Sequence, residues 1–409
     1  MSTKDQPENL SPLPRDAPLV ASRRVRRVPP PRTCLNVRST HTMDVRAFVT
    51  ARASFPRDEN ERSGHPSPGE LFASRAVVTR ARAGEDAYDV IIASGDVALS
   101  IEVDLGDGVV ERGKENALRP REAEAERGTR ELGASSSGRE IQSLSLSGDE
   151  TKLFIVDNYG VVDVFERDVE GDAGFVSTRA RGVGASDVEG VGGWCGVVSS
   201  AERDKMFVAK SSSRVIDVYD GDRRVRRMNT LLRPYDAKLT SPIGGGHSVI
   251  VVAEGHHFAV YDDRQDERGG CVSRIPVGYN KPLYTVSTSR APGLENIVAC
   301  AGEERVVHIL DVRKWGCMER WRNAAKFDIT QLELSSSAPG YAYVAGLDYE
   351  CVCGNWREQK SEGGFSFRAD TRWMGIASRP TACGRGDVLA GWAESGLVYA
   401  LRAQPKSEE

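Results

Sequence analysis

No run in this 409-residue chain approaches the roughly 20 consecutive apolar residues that a membrane-spanning helix requires. No secretory apolar segment precedes the cysteines either. Histidine is scarce, at six residues. His65, His247 and His308 lack the partner pattern of nucleophilic catalysis, and no Gly-x-Ser-x-Gly elbow is present. Gly182-Val183-Gly184 and Gly244-Gly245-Gly246 are followed by neither Lys-Ser/Thr nor a helical pattern, which excludes a phosphate loop and leaves flexible turns. Cys351-Val352-Cys353 would set two thiols on one side of a strand, but a structural zinc needs about four ligands and no second Cys/His pair is evident. The adjacent His256-His257 pair falls in a predicted turn, where the two rings diverge. The expectation is no metal, no cofactor and no catalytic centre.

What the chain does have is glycine and alternation. Its 41 Gly exceed the usual share of about 7% and suit a fold with many tight turns. Hydrophobic residues make up 39% and charged residues 28%, a globular balance. The net charge of -4 is unevenly placed: residues 1–42 carry eight Lys/Arg against three Asp/Glu. An acidic body with a short basic arm argues against a dedicated nucleic-acid binder, whose basic face would lie on the folded domain. The eight Cys (Cys34, Cys195, Cys271, Cys300, Cys317, Cys351, Cys353 and Cys383) are irregularly spaced and read as reduced thiols, mostly small core hydrophobes. The expected compartment is therefore the cytoplasm or nucleus.

Residues 1–42 hold seven Pro and few large apolar side chains, too little to offset ordering entropy, so this arm is expected to be disordered. Its Arg23-Arg24-Val25-Arg26-Arg27 run reads as a solvated basic tail, with a nuclear-import signal as the alternative. Beyond residue 70 an apolar strand, a turn, and an alternating strand ending in an aromatic or aliphatic residue recur seven times. Examples are Val215-Ile216-Asp217-Val218-Tyr219, Phe258-Ala259-Val260-Tyr261 and Val306-Val307-His308-Ile309-Leu310. The third strands of these units end at Val103, Phe165, Tyr219, Tyr261, Leu310, Trp356 and Leu401.

Spacings of 42 to 49 residues between the later ends match a four-stranded repeat of about 40–45 residues. The two longer gaps contain 106–138, charged and Ser-rich, and 168–193, Gly-rich, both expected as surface insertions. Ile141-Gln142-Ser143-Leu144 and Ile329-Thr330-Gln331-Leu332 have the alternation of strands lining a central axis. A twisted four-stranded blade with two apolar faces cannot bury them alone, so the reading is an all-β, seven-bladed propeller over 43–403. The last unit runs out of chain after three strands, with 404–409 as a tail. The lone strand pattern at 43–52 is expected to supply the fourth and so remove an exposed edge.

Val218-Tyr219-Asp220, Val260-Tyr261-Asp262 and Ile309-Leu310-Asp311 look like degenerate Trp-Asp dipeptides, and Gly246-His247 and Gly255-His256 are similar to the Gly-His pair of the same repeat. The chain thus resembles the WD40-repeat, transducin-like superfamily. From Gly269 onward it is similar to a plant and green-algal WD-repeat family. That likeness is carried by Gly269-Gly270-Cys271-Val272, Arg313-Lys314-Trp315, Lys326-Phe327-Asp328-Ile329-Thr330, Cys353-Gly354-Asn355-Trp356 and Asp387-Val388-Leu389-Ala390-Gly391-Trp392. The resemblance implies a propeller and no assigned chemistry.

The functional expectation is a non-catalytic scaffold, a monomeric propeller that binds other proteins within a larger complex. Asp262-Asp263-Arg264 and Asp311-Val312-Arg313 also resemble a blade-end motif of WD-repeat substrate receptors in cullin-type ubiquitin ligases, where the Arg contacts the adaptor. The alternative is local ion pairing. A second candidate surface is the rim just before each first strand, with Glu140, Asp328 and Arg372 beside Trp194 and Trp373, since Trp and Arg are frequent interface anchors. Against that, both Trp would also fit between blades.

Overall fold

The period-two segments do form strands, and the strands form blades. The computed structural model describes residues 42–54, 74–81, 86–106, 110–112, 118–122, 129–168, 174–178, 180–188, 190–200, 205–242, 247–358 and 360–406. The expectations for the N-terminal arm, including Cys34 and the Arg23–Arg27 run, lie outside these residues.

Seven sheets form blades, and Glu111–Arg112 pairs with Leu118–Arg119 as a separate two-stranded sheet. The innermost strands of blades 1 to 7 are Ala76–Arg80, Ile141–Leu146, Cys195–Ser200, Pro234–Leu239, Leu283–Thr288, Ile329–Leu334 and Trp373–Pro380. Each touches the innermost strand of the next blade, and the seventh touches the first, so the ring is closed. Blade 5 shows the regular plan: Leu283–Thr288, Ile297–Gly302, Val306–Asp311 and Gly316–Arg322 pair in order from axis to rim. The apolar side chains lie in layers between neighbouring blades. One such layer joins Ile297, Ala299, Ile309 and Trp321 of blade 5 to Leu332, Val344 and Trp356 of blade 6. No helix among the described residues is long and apolar enough to cross a membrane.

The seventh blade is built from both ends of the chain. Met43–Arg52 pairs antiparallel with Leu397–Pro405, opposing Phe48 to Leu401 and Thr50 to Tyr399. The last strand therefore runs through Pro405, into the segment expected as a tail. Phe48 packs with its ring centroid 4.7 Å from that of Phe367, and Trp373 lies 5.2 Å from Tyr399. An aromatic cluster thus seals the seam between blades 6 and 7. Burying such rings stabilises by about 1.5–3 kcal/mol each.

The stretches 106–138 and 168–193 are not wholly insertions. Thr129–Ala134 is the outer strand of blade 1, and Phe175–Ser177 that of blade 2. Outer strands face solvent on one side, so neither carries the apolar run that marks a strand in sequence. Arg121–Glu122 adds a short parallel strand outside Met43–Arg52.

Blades are tied to each other by buried polar groups. The Asp236 carboxylate accepts from Val286 N at 2.9 Å and from the Thr285 hydroxyl at 3.2 Å, linking blade 4 to blade 5. Ser287 Oγ accepts from Leu334 N at 3.0 Å, linking 5 to 6. Asp387 does the same for 6 and 7: it accepts from Ser336 N, Ser337 N and the hydroxyls of Ser335 and Tyr343. Glu150, held at a left-handed φ of 58°, receives Arg379 of blade 7 and Thr79 of blade 1.

Candidate functional site

Antiparallel order gives the ring two unlike faces. The upper face carries the connection from each outer strand to the next inner strand, together with the turns between second and third strands. The lower face carries the first-to-second and third-to-fourth turns.

Asp262, Arg264, Asp311 and Arg313 sit on the lower face, in third-to-fourth turns. In both turns the Arg closes back on its own Asp. Arg264 Nε and Nη2 donate to the two carboxylate oxygens of Asp262 at 2.9 and 2.7 Å. Arg313 does the same to Asp311 at 2.9 and 2.6 Å. The backbone N–H groups of Arg264 and Arg313 also donate to these carboxylates, at 3.0 and 2.9 Å. The fork of donors that gives Arg its interface value is thus engaged within the turn. The same hydrogen bonds hold the Asp311 carboxyl down at about 2.

Glu140, Trp194, Asp328 and Arg372 belong to upper-face connections. Trp194 is not an exposed anchor, contrary to the rim expectation: it is buried against Val198, Phe207 and Ala209, its ring lying over Gly196. Trp373 is also buried and donates to Tyr349 O at 2.9 Å. Glu140 accepts from the fully buried Arg75 at 2.8 Å, and Arg372 lies 3.6 Å from Glu394. Of the three charged residues, Asp328 is the one with no ion pair among the described residues.

The central channel holds a cavity of about 130 Å³ near the lower end of the inner strands, lined in part by Asp236, Lys238, Arg290, Gln331, Glu333 and Ser378. Burial pushes the Asp236 and Glu333 carboxyls up, and Glu333 accepts from Ser378 at 3.2 Å. Asp236 and Glu333 each bridge to the next blade. Cys351 and Cys353 are buried in the blade 6–7 layer, and burial raises both thiols. Among the described residues no group of three or more His, Cys, Asp or Glu is placed to hold a metal ion.

The most uneven feature is the distribution of exposed large apolar side chains. Among the described residues, Val176, Val225, Val272 and Met318 lie on outer strands. The other five, Val191, Leu231, Tyr279, Phe327 and Tyr349, all lie in upper-face loops of blades 2 to 6, and none occupies a lower-face turn. Tyr279 is 74% exposed and Phe327 56%. Tyr279 is nevertheless held in place: Arg320 donates to its hydroxyl at 3.3 Å, and its backbone N–H donates to Glu304.

Below these loops, at the channel mouth, the inner strands of blades 4 to 7 share a bulge at their second residue. A bulge turns its side chain out of the regular pleat. In blades 4 and 5 the bulged residues are Tyr235 and Tyr284, whose rings meet edge-on at 6.0 Å. Burial, with the nearby Asp328 and Glu303 carboxylates, pushes the Tyr284 hydroxyl up to about 12. The Asp328 carboxyl is itself raised, by partial burial first and by Glu303 second. Glycine permits the close packing around it. A Cβ on Gly302 would stand 2.1 Å from Pro282 O, and one on Gly346 2.6 Å from Asp328 O.

Sequence reasoning found Asp328 but missed the apolar side chains of the same face. The available signal was an aromatic inside turn chemistry, as in Val277-Gly278-Tyr279-Asn280-Lys281-Pro282. Nothing in a strand would explain a tyrosine there.

No protein-family model matches the sequence, and no curated protein matches it. Among solved structures the chain is similar to the crystal structure of Raptor from Chaetomium thermophilum. The TM-score is 0.59 at 12% identity, over 90% of this chain and 29% of that one. The chain thus spans less than a third of that protein, and the likeness is one of propeller fold.

Proposed function

We propose that the protein is a WD-repeat scaffold of the transducin-like kind, docking a protein partner on its upper face within a larger complex. One observation carries this reading: the five large apolar side chains exposed in upper-face loops, against none in the lower-face turns, among the described residues. Exposed apolar groups gathered on one face mark interaction surfaces, whereas scattered single ones need no explanation. Covering Tyr279 and Phe327 would gain a part of the roughly 1.5–3 kcal/mol that full burial of such a side chain is worth, and aromatic side chains are frequent hot spots.

The ubiquitin-ligase receptor reading rests on Arg264 and Arg313, and both guanidinium forks are occupied by their own Asp. Fold alone does not specify a partner, and the likeness to Raptor supports an interaction role only at the level of architecture.

The test is affinity purification of the tagged full chain from its own cells, in three versions. A Tyr279→Ser/Phe327→Ser double variant should lose the stable co-purifying partner, and an Arg264→Ala/Arg313→Ala double variant should keep it. The reverse pattern, with a ligase adaptor lost from the second variant, overturns the upper-face reading in favour of the receptor.

A further inference from the structure

At the upper ends of the inner strands of blades 4 and 5, the half-buried Tyr235 and the buried Tyr284 lie near the Asp328 carboxylate, and the exposed Tyr279 and Phe327 belong to the adjoining upper-face connections. Tyr235 and Tyr284 are contributed by bulges in adjacent inner strands, and Asp328 by the connection into blade 6. Aromatic faces and a carboxylate attract the same kind of group, a cation on an otherwise apolar segment.

The nearest cations, Lys281 and Arg305, favour the Asp328 charge from a distance, but their direct contacts are with other groups. Lys281 Nζ lies 2.5 Å from Glu303 Oε1. Arg305 donates to Lys326 O at 3.0 Å, and Lys326 lies 3.9 Å from Glu350. Glu304 receives Tyr279 N and stands 3.5 Å from the buried His308. Asp328 is the acid of this cluster without an ion pair among the described residues. It is also half-buried, at a position where a second carboxylate, Glu303, disfavours its charge. An incoming cation would relieve that burden, and a neutral or acidic group would not.

We infer that the upper face recognises a partner segment presenting an Arg or Lys between apolar residues, the cation seated on Asp328 beside Tyr284 and Tyr235 and the apolar flanks on Tyr279 and Phe327. This rests on the upper-face docking reading and adds the chemistry of the partner. Charge complementarity selects the segment, and the apolar rim excludes water from the contact, which strengthens it.

The experiment is a selection of phage-displayed random heptapeptides on the immobilised full chain. Affinities of the enriched peptides are then measured against wild type, Asp328→Asn, Tyr279→Ser/Phe327→Ser, and Glu295→Gln. The last neutralises an exposed acid on the lower face and controls for general electrostatics. The expected result is enrichment of a basic residue flanked by apolar ones, with affinity reduced about tenfold or more by Asp328→Asn and unchanged by Glu295→Gln. Thermal midpoints of the variants, measured in parallel, should match wild type.

If the enriched peptides lose affinity for Tyr279→Ser/Phe327→Ser but carry no basic residue, or bind Asp328→Asn as well as wild type, the inference fails while the docking face stands. If the peptides are indifferent to both upper-face changes, or none is enriched, both readings fall.

Discussion

Replacing Asp387 by Ala should destabilise the ring at the junction of blades 6 and 7, by an amount that can be worked from its four donors. Ser336 N and Ser337 N donate to one carboxylate oxygen at 3.2 and 3.0 Å, and the Ser335 and Tyr343 hydroxyls donate to the other. The Ser335 hydroxyl can turn to a new partner, whereas a backbone N–H cannot and the Tyr343 hydroxyl is confined near its ring plane. Ser337 is half-buried, so water can serve its N–H, whereas Ser336 and Tyr343 are buried. Two buried donors at about 1–3 kcal/mol each give an expected loss of about 3 kcal/mol for Asp387→Ala.

Asn is a sharper probe. Its carbonyl can accept from the two N–H groups while its amide donates to the hydroxyl oxygens, so Asp387→Asn should stay within about 1 kcal/mol of wild type. The two proteins should diverge with pH. Burial holds the folded Asp387 carboxyl above its ordinary value. A group whose folded pKa is raised contributes fully below the unfolded value, about 4, and loses that contribution as pH rises through the folded one. Asn has no such loss, so it should gain on wild type as pH rises above about 4. Urea unfolding midpoints at several pH values measure both effects. An Ala variant within 1 kcal/mol of wild type would refute the account of the network, and a pH-independent Asn difference would refute the raised carboxyl.

Two further outcomes follow from the same structure. Phe48→Ala should cost about 3–5 kcal/mol in urea unfolding, because Phe48 is buried at the seam that the N-terminal strand closes and lies 4.7 Å from Phe367. Arg313→Ala should cost less than about 1 kcal/mol, since its guanidinium is mostly exposed. It should also let the Asp311 carboxyl rise from about 2 toward the ordinary range, readable by NMR titration. A depressed carboxylate stabilises above its unfolded value and loses that effect as pH falls toward 2, so the variant and wild type should converge in acid.

The propeller was legible because it is written in repetition. Seven strand pairs ending in an aromatic or aliphatic residue, each followed by turn residues, leave few folds open, and the unpaired pattern at 43–52 lies beside the last of them. What escaped were strands whose identity comes from their neighbours. Thr129–Ala134 has half-exposed, mixed-charge residues and pairs only because Val97–Asp104 offers an edge. Of the candidate residues, Trp194 misled because tryptophan is frequent both at interfaces and in cores, and only the layer around Gly196 decides between them. Asp328 was visible from its place before an inner strand. Tyr235 and Tyr284 were not, because their orientation follows from bulges, and a bulge has no sequence signature at these positions.

The central claim is that the upper face is the docking surface, and hydrogen–deuterium exchange of the purified complex against the free full chain tests it most directly. Protection should concentrate in the upper-face loops, at 277–282 and 323–328, while the lower-face turns at 262–266 and 312–315 exchange at the same rate in both. Protection of those lower turns, with 277–282 and 323–328 unchanged, would contradict the account.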